Sequence, residues 1–182
     1  MAEAFSNKLT RAAGIVTTSS SGSIGVTTTI ITGISTVGVA VSDLVDNANF
    51  IAGTKVTGYG AAASQVVVDQ TSTNTATVTS SAIVNFLGMT TAYTSAAATK
   101  SILIGGTFAN NTSSSVNLTI EVHDASAGIQ AALATKIPVP TGSSFVISDA
   151  GKSVLEAGDE VRVFCDTANA IDVNLSILTG VS

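Results

Sequence analysis

The clearest alternation of apolar and polar residues lies in the second half of the chain. Residues 116–123 read VNLTIEVH, and residues 171–177 read IDVNLSI, so every second position is aliphatic. A period of two places one side of a strand in a core and the other in water. The first run therefore predicts Val116, Leu118, Ile120 and Val122 inward and Asn117, Thr119, Glu121 and His123 outward.

Shorter segments of this half complete the pattern. Strands are predicted at SILIGGTF (101–108), at Phe145 and Ile147, and where Val161, Val163 and Cys165 alternate with Arg162 and Phe164. Ile137–Pro140 is expected to be extended, because a residue before proline avoids helical backbone angles. Residues 109–115 are predicted as a turn-rich loop. Residues 124–136 (DASAGIQAALATK) are predicted as a loop in preference to a helical turn.

The first half carries β signals that are shorter. The stretch TTSSSGSIG (17–25) has the composition of a linker or loop. Short strands are predicted at 26–34, 37–41, 65–69 and 75–79, and the last of these is expected at a sheet edge. Strands at this spacing, separated by Gly, Asn and Asp, predict a small β-barrel or sandwich.

Composition strengthens the all-β prediction. The chain holds 26 Thr and 23 Ser, and 45% of its residues are hydrophobic. Thr and Val favour strands, whereas the good helix formers are scarce. Six or seven strands after residue 87 without helical periodicity predict an antiparallel β-sandwich, immunoglobulin-like or jelly-roll-like.

Charge restricts the classes of partner. Only 10% of residues are charged and the net charge is −5, so a nucleic-acid partner is not expected, because binding phosphates needs clustered Lys and Arg. No apolar run is long enough to span a bilayer, and no signal peptide is visible at Met1–Ala4. A surface with few charges is poorly protected against association. We therefore expect an oligomer or a lattice, in which much of this surface is buried against partners.

Residues able to carry chemistry are few. His123 is the only histidine and Cys165 the only cysteine, so a four-ligand zinc site is not expected, and Cys165 is interpreted as a small core residue. A Ser-His-Asp triad through His123 lacks the G-x-S-x-G sequence. Gly151-Lys152-Ser153 lacks the first glycine of a phosphate loop. We predict no enzyme, no cofactor and no catalytic, cofactor-binding or metal-binding residues.

Two acidic turns can each be interpreted either as a calcium site or as an ordinary β-turn. LEAGDE (155–160) brings Glu156, Asp159 and Glu160 close in sequence, and carboxylates with turn carbonyls suit calcium. The alternative is a β-turn in which Gly158 takes positive φ and Asp159 binds its own backbone, and this alternative is preferred. VSDLVDN (41–47) presents the same choice. Tyr59 and Tyr93 are too far apart in sequence to indicate a stacking platform for sugars.

Residues 90–124 and 136–178 resemble a group of small virion proteins of tailed bacteriophages, of the marine and cyanophage type. The shared elements are T-x-Y-T, K-S-I-V-I-G, A-N-x-T and V-x-V-x-V, followed by P-I-P-x-G-S-S, K-x-V-L-E-x-G-D-x-(I/V)-x-V and A-x-D-V-x-(V/L)-S. Here they read TAYT, KSILIG, ANNT, VNLTIEV, KIPVPTGSS, KSVLEAGDEVRV and AIDVNLS. The resemblance implies a virion structural role on an immunoglobulin-like or related sandwich, with no catalytic residues to carry over.

Residues 33–60 (GISTVGVAVSDLVDNANFIAGTKVTGYG) resemble the G-x-x-V-G-D-x-V-x-G-x-x-I-P-A-G-T-x-V repeats of phage fibre and surface proteins. Ser42 stands where the repeat has glycine, and Phe50 precedes Ile51-Ala52 without a proline. The resemblance implies three parts. Residues 1–21 form an arm or first strand of the main sandwich, 22–86 an inserted small β module, and 87–182 the main sandwich.

These features together lead to one expectation about function and one alternative. The chain is expected to be a capsid decoration protein or a neck, collar or tail component, made in the host cytoplasm and kept in the virion. The alternative is a fibre-associated adhesin-like module whose inserted part binds a host-surface receptor or glycan on its loops.

Overall fold

The computed structural model describes residues 3–148 and 152–181, and every regular element in these ranges is a β-strand. The chain divides into two compact units: Met1–Gly14 with Thr90–Ser182, here the main unit, and Ile15–Met89, the second unit. The strands are β1 Ala4–Ala13, β2 Ile15–Ile24, β3 Ile30–Thr32, β4 Leu44–Asp46, β5 Val56–Tyr59, β6 Gln65–Val68, β7 Val78–Gly88, β8 Thr90–Thr94, β9 Lys100–Asn110, β10 Val116–Asp124, β11 Ile129–Val139, β12 Ser144–Ile147, β13 Ser153–Leu155, β14 Glu160–Cys165 and β15 Ile171–Val181.

The main unit contains two antiparallel sheets. One has the order β1-β15-β9-β12, with β13 also paired to β9, and the other has the order β11-β10-β14-β8. Aliphatic residues from both sheets form a single buried cluster, which includes Leu103, Phe108, Leu118, Val163 and Leu175. Two sheets that share one core form a sandwich. The prediction of an all-β fold with antiparallel sheets is therefore confirmed.

Strand β15 shows how alternation produces this packing. Ile171, Val173, Leu175 and Ile177 are all buried in the core, whereas Asn174 between them is exposed. Ile137–Val139 is extended within β11, as predicted from the prolines at positions 138 and 140. Phe145 and Ile147 lie in strand β12 as predicted, and both contact the core.

The outward face predicted for β10 is partly wrong. Thr119 and Glu121 are buried, and His123 is half-buried. The reason is the position of β10 between β11 and β14. Glu121 is flanked by Ala132 on one side and Arg162 on the other, and Thr119 lies opposite the buried Phe164.

The loop predicted over residues 124–136 is also wrong, because most of it is strand β11. Asp124 makes the tight connection by accepting bonds on Oδ1 from the N–H groups of Ser126 and Ala127, at 2.9 Å each. Gly128 takes a φ of 67°, and the chain then pairs along β10 from Ile129. The strand was missed because it lies at a sheet edge and its residues 129–133 are all exposed, so no period of two appears there.

In the second unit, a six-stranded sheet closes on itself. Its order is β4-β7-β2-β3-β6-β5, and a bridge between Leu44 and Lys55 joins the two ends. Ser42 donates to the carbonyl of Val56 at 2.8 Å, and Val56 donates to that of Asp43 at 2.9 Å. A sheet that closes leaves no free edge. Its interior is filled by a second aliphatic cluster around Phe50 and Phe86.

Three predictions for this unit are wrong. Residues 17–24 belong to strand β2 and not to a linker. Small residues are needed there, because a Cβ at Gly22 would meet Ile34 at 3.0 Å and the Ala82 carbonyl at 3.1 Å. Residues 37–41 form turns and not a strand. Strand β7, which begins at Val78, lies between β4 and β2 and not at an edge.

The domain boundaries predicted at residues 22 and 86 stay a prediction. The two compact units divide between Gly14 and Ile15 and between Met89 and Thr90. A search of the described residues finds no helix with the length and apolarity that crossing a bilayer requires.

Candidate interaction surface

The single cysteine and the single histidine of the sequence are held apart in the main unit. Cys165 lies opposite Leu118 in the register of β10 and β14, and His123 lies opposite Glu160. Five residues of strand separate these positions on β10, which is about 17 Å of extended chain. Burial raises the pKa of the Cys165 thiol to about 11, so a thiolate is disfavoured. The arrangement therefore provides no cysteine–histidine pair.

His123 has a buried Nδ1 that finds no hydrogen-bond partner within residues 3–148 and 152–181. Its neighbours in register are Gln130 on β11 and Glu160 on β14, and the Glu160 carboxylate accepts from Arg162 Nε at 2.7 Å. The histidine thus lies beside a carboxylate that is already paired. No serine is bonded to His123 in the described ranges.

The acidic turn at residues 155–160 has the geometry of the β-turn alternative. Gly158 takes a φ of 89°. Asp159 is buried and accepts two backbone bonds, from Glu156 at 2.9 Å and from Ala125 at 3.0 Å. Glu156 forms an exposed ion pair with Lys100 at 3.2 Å. The carboxylates are therefore used by the fold and by basic side chains, and no cluster of three potential ligands occurs among the described residues.

The turn at residues 41–47 is built in the same way. Asp43 is buried and accepts from the Ala40 N–H at 2.7 Å, and desolvation raises the pKa of its carboxyl. Asn47 donates to the carbonyl of Ile83 at 2.8 Å and accepts from the N–H of Asn49 at 2.8 Å. Both side chains shape loops of the barrel.

The two tyrosines have separate structural roles. Tyr59 donates its hydroxyl to the Val39 carbonyl at 2.6 Å in the second unit. Tyr93 is buried in the main unit, where its hydroxyl and that of Ser95 both bond to the hydroxyl of Ser101, at 2.9 and 3.0 Å. Neither tyrosine forms the stacking platform that a sugar site uses.

The feature with the most capacity for binding is the outer face of the β1-β15-β9-β12 sheet. Cross-strand partners lie on the same side of a sheet. Phe5 faces Leu178, Leu178 faces Ile102, and Ile102 faces Val154. These side chains lie outside the core cluster. We call this surface the outer face, and its apolar residues are Phe5, Leu9, Ile102, Ile104, Val146, Val154 and Leu178.

Large apolar side chains on this face are open to solvent. Leu9 is 73% exposed and Phe5 is 63% exposed, and Val146 and Val154 are exposed to similar degrees. A groove of about 280 Å³ runs between Phe5, Ile104 and Val146, and a neighbouring one of about 340 Å³ lies beside Leu9 and Asn174. Such contiguous exposed apolar surface marks interaction sites in soluble proteins.

Charged groups of the described residues lie toward the ends of the outer face. Lys100 and Glu156 form their ion pair at one end. Asp172 lies at the other end, where it accepts from the Ala12 N–H at 2.8 Å and from Asn111 at 3.3 Å, and it lines the groove beside Leu9 together with Arg11. The middle carries apolar residues with the neutral Asn7, Asn174 and Ser176. An interface core is depleted of charge in the same way.

The size of the outer face approaches that of a stable contact. Its central strands β9 and β15 have 11 residues each, and β1, β12 and β13 add 10, four and three residues. These strands cover roughly 600 Å², given about 3.3 Å per residue and about 4.8 Å between strands. A standard protein–protein interface buries about 800 Å² on each partner. Full burial of a side chain such as Phe5 or Leu9 contributes about 1.5–3 kcal/mol.

The sequence held a weak signal for this surface. Residues 1–21 were expected to form an arm or first strand of the main sandwich, and in the structure β1 pairs with β15 from Ala4 to Ala13. Phe5 and Leu9 are the apolar positions of that strand, yet both point away from the core. Only the register with β15 reveals their side, since alternation alone assigns aliphatic residues inward.

Comparison with known proteins gives no relative. No protein-family model matches the chain, and neither the curated proteins nor the solved structures contain a significant match.

Proposed function

We propose that this chain is a non-enzymatic structural component of a tailed-phage virion, a capsid decoration protein or a part of the neck, collar or tail. In this proposal it forms a homo-oligomer, a trimer or a ring, and packs against other virion proteins. It is made in the host cytoplasm and then kept in the particle.

The observation that carries the proposal is the outer face. A lone soluble chain with Leu9 and Phe5 so exposed on a charge-poor sheet is prone to associate. A component of a large assembly buries such a face against its neighbours. The partner is therefore another β-rich virion protein with an apolar surface of similar size.

Two further features support a structural role. The main unit carries the sequence elements that resemble small virion proteins, from TAYT at 91–94 to AIDVNLS at 170–176. Cys165 is packed in the core, and Asp159 and Asp43 accept backbone bonds, so these groups support scaffolding better than catalysis. In the proposal the barrel of residues 15–89 is a phage surface module inserted after β1 of the sandwich.

Mass spectrometry of gradient-purified particles of a tailed phage that encodes this chain tests the proposal. We expect the chain in intact particles at a copy number set by capsid, neck or tail symmetry. Its presence only in the soluble lysate, with none in particles, would contradict the proposal.

One observation favours a second candidate, an adhesin-like module that binds a host-surface receptor or glycan. The turns at residues 35–43 of the barrel expose Val37 at 82%, and Val41 and Tyr59 are also exposed. An exposed apolar loop on a closed scaffold is a common binding arrangement. Specific binding to host cells that Val37→Ser abolishes would support this candidate, and unaltered binding by the variant would remove it.

A further inference from the structure

We propose that residues 4–10 of β1, here called the arm, exchange between copies of this chain: the arm leaves β15 of its own chain and pairs with β15 of a second copy. The second copy then supplies Phe5 and Leu9 to the outer face, so each outer face is completed by a neighbour. The exchange rests on the proposed function for its setting in a virion, but it requires only two copies of the free chain.

The structure shows which strand fits the edge of β15. Ala4 to Thr10 pair with Thr179 to Val173 in seven consecutive antiparallel positions. Every copy of the chain carries the same arm and the same edge, so the arm of a second copy makes identical contacts there. Exchange of an identical element between protomers readily links copies for this reason.

The arm is held by the edge of the sheet and not by the core. All residues from Ala4 to Thr10 are exposed or half-buried, and the residue of β1 that belongs to the core cluster is Ala13, beyond the arm. Departure of the arm therefore leaves the core cluster complete and uncovers one edge of β15. An uncovered edge presents N–H and C=O groups that match another extended strand.

The hinge for this movement lies at Arg11 and Ala12. The register shifts between Thr10 and Ala13, so neither hinge residue is matched to a residue of β15. Ala12 takes a φ of 55°, a left-handed conformation that is unfavourable for residues other than glycine. Extension of the hinge relieves this strain, and short strained hinges favour swapping. The Ala12 N–H then loses its bond to Asp172, but this bond is exposed and water replaces it.

The chain beyond the hinge is fixed to the main unit. The carbonyls of Ala13 and Gly14 accept from the N–H groups of Ala170 and Asn169 at 2.9 Å each, and Ala13 is buried. Exchange therefore needs a change at the hinge alone. The extended arm spans about 23 Å at about 3.3 Å per residue, which sets the reach to a second copy. Exchange from each copy to the next forms a ring where the rotation between copies closes, as the proposed homo-oligomer requires.

A disulfide between two chains tests the exchange. Ala4 and Thr179 are register partners, and Thr179 donates to the Ala4 carbonyl at 3.2 Å. Side chains alternate along a strand, so this pair lies on the side opposite to Phe5, and docking of two outer faces does not join it. In a Cys165→Ala background, one chain carries Ala4→Cys and another carries Thr179→Cys. The two are mixed at micromolar to millimolar concentrations and mildly oxidised.

We expect a covalent dimer of twice the 18.0 kDa chain mass on a non-reducing gel, in a yield that rises with concentration. The control pairs the Ala4→Cys chain with Ser113→Cys, which lies in an exposed loop. Exchange holds the cysteines of the first pair at a high effective concentration, so its yield should exceed that of the control at least about tenfold.

A hinge variant separates exchange from collision. Ala12→Gly adopts positive φ without strain, which stabilises the closed arm, and should lower the yield of the covalent dimer about fivefold. A yield no higher than that of the control, or a yield that Ala12→Gly leaves unchanged, overturns the exchange. Because only purified chains are used, detection of the chain in particles decides the proposed function independently of this result.

Discussion

Phe5 of β1 lies directly opposite Leu178 of β15, on the side of the sheet that faces away from the core. In an ordinary sandwich strand, this side carries polar residues in contact with water. Here the pair begins an apolar row that continues through Ile102 to Val154. The main unit therefore has two apolar sheet surfaces, one that forms its own core and one that is available to a partner.

The outer face should govern incorporation into the particle. Leu9→Asp places a charge in an interface that excludes water, and an unpaired buried charge is costly. Because Leu9 is mostly exposed in the free chain, its replacement should change the free energy of unfolding by no more than about 0.5 kcal/mol. We expect a variant that folds normally but is depleted at least tenfold in purified particles, measured by quantitative mass spectrometry.

Ser113→Asp is the matched control for this experiment. It adds the same charge at an exposed position in the loop between β9 and β10, away from the outer face. Equal incorporation of Leu9→Asp and the control would show that the outer face does not contact the particle.

Two adjacent residues of β15 test which side of the strand forms the core. Val173 is 3% exposed and Asn174 is exposed. Val173→Asp buries an unpaired charge and should cost more than about 4 kcal/mol of stability, as should Leu118→Asp, whereas Asn174→Asp should be nearly neutral. Urea denaturation followed by circular dichroism measures the difference. Wild-type stability of Val173→Asp would mean that the assigned strand faces are wrong.

Cys165 should make stability depend on pH in the alkaline range. Burial raises its pKa from 9.0 to about 11, so the unfolded chain loses the thiol proton before the folded chain does. The contribution is complete below pH 9 and is lost as the pH rises toward 11, by at most about 1.4 kcal/mol per pH unit. Denaturation curves between pH 8 and pH 11 measure this loss.

Cys165→Ala removes the titrating group and should flatten that part of the pH profile. The native wild-type thiol should also react with a thiol reagent at pH 8 only as fast as the protein unfolds. Rapid labelling of the native protein would contradict the burial of Cys165.

Asp159 should act as a backbone acceptor and not as a calcium ligand. Its carboxylate accepts the N–H groups of Glu156 and Ala125. Asp159→Ala leaves both part-buried donors without that acceptor and should cost about 1–3 kcal/mol in total, because water can satisfy them in part. Thermal melting measures the loss. Addition of calcium to the wild type should leave the melting temperature unchanged, and a clear rise with calcium would favour the metal-site alternative.

The alternation of apolar and polar residues predicted those strands that have one face in the core and the other in solvent. Strand β15 was identified with its correct inward residues, because the core contacts one of its faces and solvent much of the other. Strand β11 was missed because its first five residues, 129–133, are exposed on both faces. Strand β2 was missed because Ser19 and Gly22 are buried at positions where the closed barrel requires small residues.

The candidate surface was less accessible to prediction than the fold. Low charge content indicated that some surface is buried against partners, but the position of that surface depends on register. The bridge links Leu44 to Lys55, and β1 pairs with β15 from the other end of the chain. In neither case do the paired residues belong to one periodic run. Local periodicity carries no information on such pairings.

The central claim is that the outer face of the main unit is covered by a neighbour in a tailed-phage particle. A cryo-electron microscopy map of intact particles of a phage that encodes this chain tests it most directly. The account predicts protein density from an adjacent subunit against Phe5, Leu9 and Val146. Clear density for the chain in which these side chains project into solvent would contradict it.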